Sequence, residues 1–147
     1  IKIHFKLSED EIKNKVFELL EKVELTPPEV FYERHPHELS GGQQQRVAIA
    51  RAISTEPKLI ISDEAVASLD MSIRSEILKL LKKINIETKV SMIMISHDLS
   101  VLKNMCNRIA IMHLGKIVEI GDKEKILGSP QHNYTKKLIS ATLEIPN

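Results

Sequence analysis

A single cysteine, Cys106, stands among 147 residues. That excludes an internal disulfide framework and a zinc cluster of the paired-cysteine type, and it fits a reducing compartment. Long apolar runs are missing as well: none approaches the roughly 18 residues that a transmembrane helix needs. No charged-then-apolar N-terminal segment resembles a signal peptide. Charge of one sign is also lacking, since 21 Lys and Arg face 20 Asp and Glu and leave a net charge of +1. No bulk attraction to nucleic acid or anionic membrane follows, and any such partner has to be recognised locally. Glycine is sparse, with five in the chain, and these never form Gly-x-x-x-x-Gly-Lys followed by Ser or Thr, the loop whose N–H groups and lysine cradle phosphates. Gly115-Lys116 is followed by Ile117 and reads as a turn between strands. What is present, 42% hydrophobic and 28% charged residues, is enough for one sizeable core and excludes a disordered tail. The first residue is Ile1, not Met, which points to a piece of a longer polypeptide.

Ser8 with Glu11 three residues on forms a capping-box pattern, with Leu7 and Ile12 placed as a hydrophobic staple. Ile12, Val16, Leu19, Leu20 and Val23 then recur at helical spacing until Pro27-Pro28. A linker to about His37 is expected. Ser40 and Gln43 repeat the capping pattern before a second helix, expected to be well buried, that ends near Pro57. Lys58 to Ser62 and Val90 to Ile95 have the form of buried parallel strands, flanking an amphipathic helix marked by Ile73, Ile77, Leu80, Leu81 and Ile84. Asp98 can cap a short helix to about Asn107, and Arg108 to Met112 reads as a third strand. This alternation predicts a parallel sheet covered on both faces. Leu114-Gly115-Lys116 predicts a tight turn into a strand over Ile117 to Ile120, and two short helices separated by Gly128-Ser129-Pro130 complete the chain.

In a parallel sheet, sites lie beyond the carboxyl ends of the strands, where Asp63 and Glu64 fall. Successive side chains there project to different sides. Asp63 can therefore orient a hydrated Mg²⁺ while Glu64 polarises an attacking water; a solvated strand-end pair fits the same two residues. Gly41 and Gly42 in the first turn of a helix cost roughly 1 kcal/mol each relative to Ala. Close approach is one reason for them, because bare N–H groups at a helix start face a phosphate directly, with Ser40 adding its hydroxyl. An ordinary Ser cap with a glycine turn fits as well. Ser96, His97 and Asp98 do not make a catalytic triad, whose members come from distant segments. His35 and His37 flank Pro36 without a third ligand, which favours loop packing over a metal.

The string Leu39-Ser40-Gly41-Gly42-Gln43-Gln44-Gln45-Arg46-Val47-Ala48-Ile49-Ala50-Arg51-Ala52 resembles the signature motif of ABC-type ATPases, the nucleotide-binding engines of ATP-driven transporters. Leu59 to Glu64 resembles that family's Walker B strand, Ser68-Leu69-Asp70 its D-loop, and Ser96-His97-Asp98 its switch histidine, all in the family's order. The resemblance implies an α/β P-loop NTPase-type fold in partial form. It places part of the helical subdomain over 1–42, the catalytic core half over 43–121 and a C-terminal extension over 122–147. It implies ATP and Mg²⁺ as cofactors, with Asp63 orienting the metal, Glu64 as general base and His97 reaching the γ-phosphate. Ser40, Gly41, Gly42 and Gln43 would face the nucleotide of a second subunit, and Asp70 would make a contact across that dimer.

The departures are equally specific. Ala65-Val66-Ala67 stands where the family usually has Pro-Thr, so a looser turn after Glu64 is expected. The Walker A loop and the glutamine loop are absent from this sequence, which therefore resembles the second half of the domain. Ser129 to Ile139 resembles the C-terminal extension of oligopeptide and dipeptide importer ATPases, with Asn133 in place of a proline. On this resemblance the chain is expected to belong to an ATP-hydrolysing subunit of a peptide importer, peripheral on the cytoplasmic membrane face. Its expected partners are a second ATP-binding subunit, membrane permeases and, indirectly, an extracytoplasmic peptide-binding protein, with no nucleic acid. Two other readings are an ABC-type ATPase acting on nucleic acid or ribosomes, and a catalytically incompetent short chain that binds an intact partner.

Overall fold

A computed structural model of the chain describes the backbone of residues 7–143 and side chains as far as 141. Ile1 and the outer ends of the first and last expected segments, 1–6 and 144–147, lie outside the described residues. Two compact units divide at Ile95 and Ser96.

The first unit opens with α1, Glu9–Lys22, whose start is the expected capping box: the Glu11 N–H donates to Ser8 Oγ at 3.3 Å and the Ser8 N–H to Glu11 Oε2 at 2.7 Å. The expected linker contains a second helix, α2, Pro28–Tyr32, and a single 3₁₀ turn at Pro36–Glu38. α1 ends before the prolines expected to stop it, at Lys22, with Glu24 left-handed at φ 60°. Pro28 instead begins α2, where its missing N–H and fixed φ suit the first helical position. Phe17 and Tyr32 meet edge to face at 5.5 Å and hold α2 against α1. α3 spans Gly41–Ile53 and buries Ile49, Ala50 and Ile53 in its second half, while Val47 and Ala52 are exposed, so its burial is less complete than its apolar composition predicts.

β1, Leu59–Asp63, pairs in parallel with β2, Ser91–Ile95, in the register Leu59 to Ser91 through Asp63 to Ile95. The crossover is α4, Met71–Thr88, which buries Ile77, Leu80, Leu81 and Ile84. The strands were expected to be covered on both faces. Instead burial alternates, and Leu59, Ile61, Ile93 and Ile95 remain 47–63% exposed on one face. Burial on both sides requires a layer on each, and among the described residues this face has none.

The second unit holds α5 (Leu99–Met105), β3 (Arg108–His113), β4 (Lys116–Asp122), α6 (Lys123–Gly128) and α7 (Asn133–Leu143). The third strand does not join the parallel sheet; β3 pairs antiparallel with β4 in a separate hairpin. A tight turn joins the two strands. Leu114 and Gly115 both have positive φ, 48° and 75°, the two-residue geometry whose twist returns the chain directly onto the preceding strand. No described helix is long and apolar enough to cross a membrane.

Candidate functional site

The residues singled out in the sequence fall into three places. Asp63 ends β1 and Glu64 follows it directly, with both side chains exposed. The Glu64 N–H continues the parallel ladder by donating to the Ile95 carbonyl at 3.0 Å, yet its φ is 48°. A left-handed residue other than glycine costs roughly 1–2 kcal/mol and is a feature of sites where the backbone is held in an unfavourable state. Here the ladder bond holds it from one side and the following turn from the other. The Ala67 N–H donates to the Glu64 carbonyl at 3.1 Å, the Leu69 N–H to the Val66 carbonyl at 3.3 Å, and Val66 is buried. The turn that lacks the expected proline is thus closed by two hydrogen bonds and one apolar anchor.

The second place is the pair of helix starts. At α3 the Gln43 N–H donates to Ser40 Oγ at 3.3 Å and the Ser40 N–H to Gln43 Oε1 at 3.0 Å. The capping box therefore occupies the Gln43 side-chain oxygen Oε1, while the N–H groups of Gly41 and Gly42 belong to the first turn, where no intrahelical acceptor exists. At α4 the cap is Asp70: one carboxylate oxygen accepts from the Ile73 N–H at 3.0 Å and from the Ser72 hydroxyl at 2.7 Å. These bonds, the Ile73 N–H first, hold the Asp70 carboxyl below its usual range. The two starts converge, since a Cβ on Gly41 would lie 3.7 Å from Leu69 Cδ2 and one on Gly42 only 2.7 Å from Ile73 Cγ2. Gly42 therefore has an internal reason to be glycine, besides any approach by a phosphate.

His97 is the third place. It lies exposed at the beginning of the second unit, between β2 and α5. Its neighbours are occupied locally: the Asp98 N–H donates to Ser96 Oγ at 3.0 Å and Asp98 caps α5 through the Ser100 N–H at 2.9 Å. His35 and His37 stack on one another at 5.7 Å, and no group of three metal-capable side chains occurs among the described residues.

Two structural contributors escape the sequence pattern. Arg46, with its side chain 13% exposed, donates from Nη1 to the Val23 carbonyl at 2.9 Å and to Glu24 Oε2 at 2.8 Å, and from Nη2 to Glu76 Oε2 at 3.2 Å. Its acceptors lie 22 to 30 residues away from it in sequence, so only the fold reveals them. Glu119 of β4 accepts from the backbone N–H groups of Gln131 at 2.8 Å and His132 at 3.0 Å, and the Gln131 bond leads the causes that lower its pKa. His132 Nδ1 in turn accepts from the Tyr134 N–H at 3.1 Å, and the Tyr134 ring stacks on His113 at 3.8 Å. The tail is thereby fastened to the β3–β4 hairpin.

Residues 2–67 match the ABC transporter family. The oligopeptide transport ATP-binding protein OppF of Mycoplasma genitalium is 45% identical over 140 residues, which is 95% of this chain and 16% of that protein. The dipeptide transport ATP-binding protein DppF of Haemophilus influenzae is 44% identical over 140 residues, 95% of this chain and 42% of that protein. The glutathione import ATP-binding protein GsiA of Escherichia coli K12 is 44% identical over 141 residues, 96% of this chain and 22% of its own length. Among solved structures, the dimeric cassette MJ0796 in a post-hydrolysis state bound to ADP and Pi matches with a TM-score of 0.68 and 34% identity, over 81% of this chain and 50% of that one. Over most of its length the chain is similar to part of an ABC-type ATP-binding cassette. It spans less than half the length of these curated relatives and about half of the solved cassette. The ABC family match takes in Ser40 to Gln43 and Asp63-Glu64; Asp70 and His97 lie beyond it, inside the longer stretch shared with the relatives.

Proposed function

We propose that this chain is the part of a transport ATPase that carries the signature helix, the Walker B acids and the switch histidine, in an importer of peptides or peptide-like solutes. The observation that carries the reading is the strand end, where an exposed acid pair sits beyond the carboxyl end of a parallel strand with Glu64 pinned at φ 48°. Such a position presents a side chain outside the ladder, where a water can be reached.

Asp63 is an exposed hard-oxygen donor and fits Mg²⁺ through a water ligand. Bound there, the metal supplies charge neutralisation on the β- and γ-phosphate oxygens. Glu64 accepts a proton from the attacking water and orients it. His97 donates toward the γ-phosphate. Ser40, Gly41 and Gly42 present a hydroxyl and first-turn N–H groups, at the positive end of the α3 dipole, to the nucleotide held by a second subunit. Gln43 keeps that start folded through the capping box, and Asp70 stands at the adjoining α4 start to contact the second subunit. Partner permeases at the cytoplasmic membrane face, with an extracytoplasmic peptide-binding protein delivering solute to them, complete the proposed assembly. The three-part division at residues 42/43 and 121/122 belongs to the same proposal, as does the absence of a nucleic-acid partner.

Glu64→Gln in the native polypeptide, with nothing removed, tests this reading. ATP binding is expected to persist while hydrolysis falls roughly 10²–10⁴-fold, the scale of losing a general base. Unchanged turnover would remove Glu64 from the mechanism.

A further inference from the structure

Gly42 and Arg46 are four residues apart on α3, and Ile73 and Glu76 are three apart on α4, so each pair shares one helix face. The two faces meet twice: Gly42 lies against the Ile73 methyl, and Arg46 Nη2 donates to Glu76 one turn further along. The same guanidinium reaches the end of α1 through the Val23 carbonyl and Glu24. Glu24 is itself fixed, with φ 60° and its N–H donated to the Glu21 carbonyl at 2.9 Å, and its second carboxylate oxygen faces Lys83 of α4 at 3.8 Å.

We propose that Arg46 is a positioning residue that locks the register of α3 against α4, so that the helix starts bearing Ser40, Gly41 and Asp70 move as one body. A one-residue slip rotates a helix face by about 100° and breaks both contacts together. Glycine at 42 permits only close approach; the planar fork at 46 supplies direction, because two parallel N–H groups must find acceptors on different helices. Lysine has the charge without that fork. Arg46 touches neither nucleotide nor water in this account and acts through the two starts. The inference rests on the proposed use of those starts in ATP-dependent dimer closure.

The test compares Arg46→Lys and Glu76→Gln with the wild-type native polypeptide. Amide exchange is read along the whole chain, ATP affinity on the single subunit, and ATP-dependent dimerisation by sedimentation. Loss of a charge-assisted bond predicts dimerisation weakened about 10-fold or more in Arg46→Lys. Faster exchange confined to α1, α3 and α4 is expected with it, and single-subunit ATP affinity stays unchanged. Glu76→Gln follows in the same direction with a smaller effect, and because Glu76 is half exposed it remains readable if Arg46→Lys fails to fold. Wild-type exchange and dimerisation in both variants would overturn the lock. Absence of ATP-dependent dimerisation in the wild type sinks the parent reading instead, while unaltered exchange still decides against the lock.

Discussion

A methyl group placed on Gly42 falls 2.7 Å from Ile73 Cγ2, inside any real carbon contact. Ile73 cannot swing aside cheaply, since a β-branched side chain in a helix has one strongly preferred χ1. Gly42→Ala is therefore expected to destabilise the fold by about 1–3 kcal/mol through overpacking, although alanine is the better helix former. Gly41 is the contrast. Its Cβ meets Leu69 at ordinary van der Waals distance, so Gly41→Ala is expected to leave the urea midpoint unchanged or slightly raised. Urea titrations of both variants read the difference directly; equal effects would contradict the close packing at Gly42. Gly41 is accordingly the cleaner position at which to block a phosphate, because its substitution leaves the packing between α3 and α4 intact.

The helix caps were legible because their signals are local: Ser8 with Glu11, and Ser40 with Gln43, are side chains three residues apart whose bonds form whatever surrounds them. The β1 to α4 to β2 crossover was legible for a similar reason, being marked by two short apolar runs on either side of a helical stripe. The turn at Leu114-Gly115 was legible too, but the separation of β3 from the β1–β2 sheet was not, because its apolar composition suits a parallel sheet. The exposed face of Leu59, Ile61, Ile93 and Ile95 was also hidden, since an apolar strand reads the same whether or not a layer covers it. At the site, the acid pair and the two glycines stood out by residue type. The left-handed backbone of Glu64, the Ile73 contact of Gly42 and the reach of Arg46 depend on partners that no spacing rule connects.

Asp70 has a local duty separable from its proposed contact across a dimer. Asn caps a helix about as well as Asp, whereas Ala does not. Asp70→Ala is expected to lower the thermal midpoint and Asp70→Asn to hold it near wild type. If Asp70→Asn nonetheless weakens ATP-dependent association, the lost function is the carboxylate's outside the cap. Acidification adds a second reading: with its folded pKa depressed, Asp70 stabilises α4 above its unfolded pKa, and that contribution disappears as pH falls through the lower folded value. The Asn variant removes this part of the acid sensitivity, which pH-dependent melts of the two proteins detect.

Glu119 makes the tail pH-sensitive in the same sense. Its pKa is lowered chiefly by the Gln131 N–H, then by the Thr135 side chain, with His132 contributing less, so its hold on residues 131–132 is complete above the unfolded glutamate value, about 4.3. It is lost as pH falls through the depressed folded value. Below that point the Tyr134 ring is expected to leave His113, which removes the ring-current shifts of the stacked pair in a proton NMR titration. Glu119→Gln is expected to loosen the same contact at neutral pH. Shifts that persist unchanged in the variant would show that the stack and α7 hold the tail without Glu119.

The backbone of Glu64 separates stability from chemistry at one position. At φ 48° every residue but glycine is disfavoured, and Asn suffers less than most. Removing the side chain relieves roughly 1 kcal/mol of that cost, partly offset by the greater freedom glycine has in the unfolded chain. Glu64→Gly is therefore expected to melt at or slightly above the wild-type temperature, and Glu64→Val, β-branched and ill suited to this conformation, clearly below it. Both variants lack the carboxylate and are expected to lose hydrolysis alike. A ranking in which Gly destabilises more than Val would mean that the bonds from the Glu64 N–H to Ile95 and from Ala67 to the Glu64 carbonyl do not hold the residue left-handed. Equal melting of all three proteins would mean that this turn opens before the rest of the unit. The expected ranking, together with equal loss of turnover, would show that Glu64 is kept at a cost to the fold because of where its carboxylate is delivered.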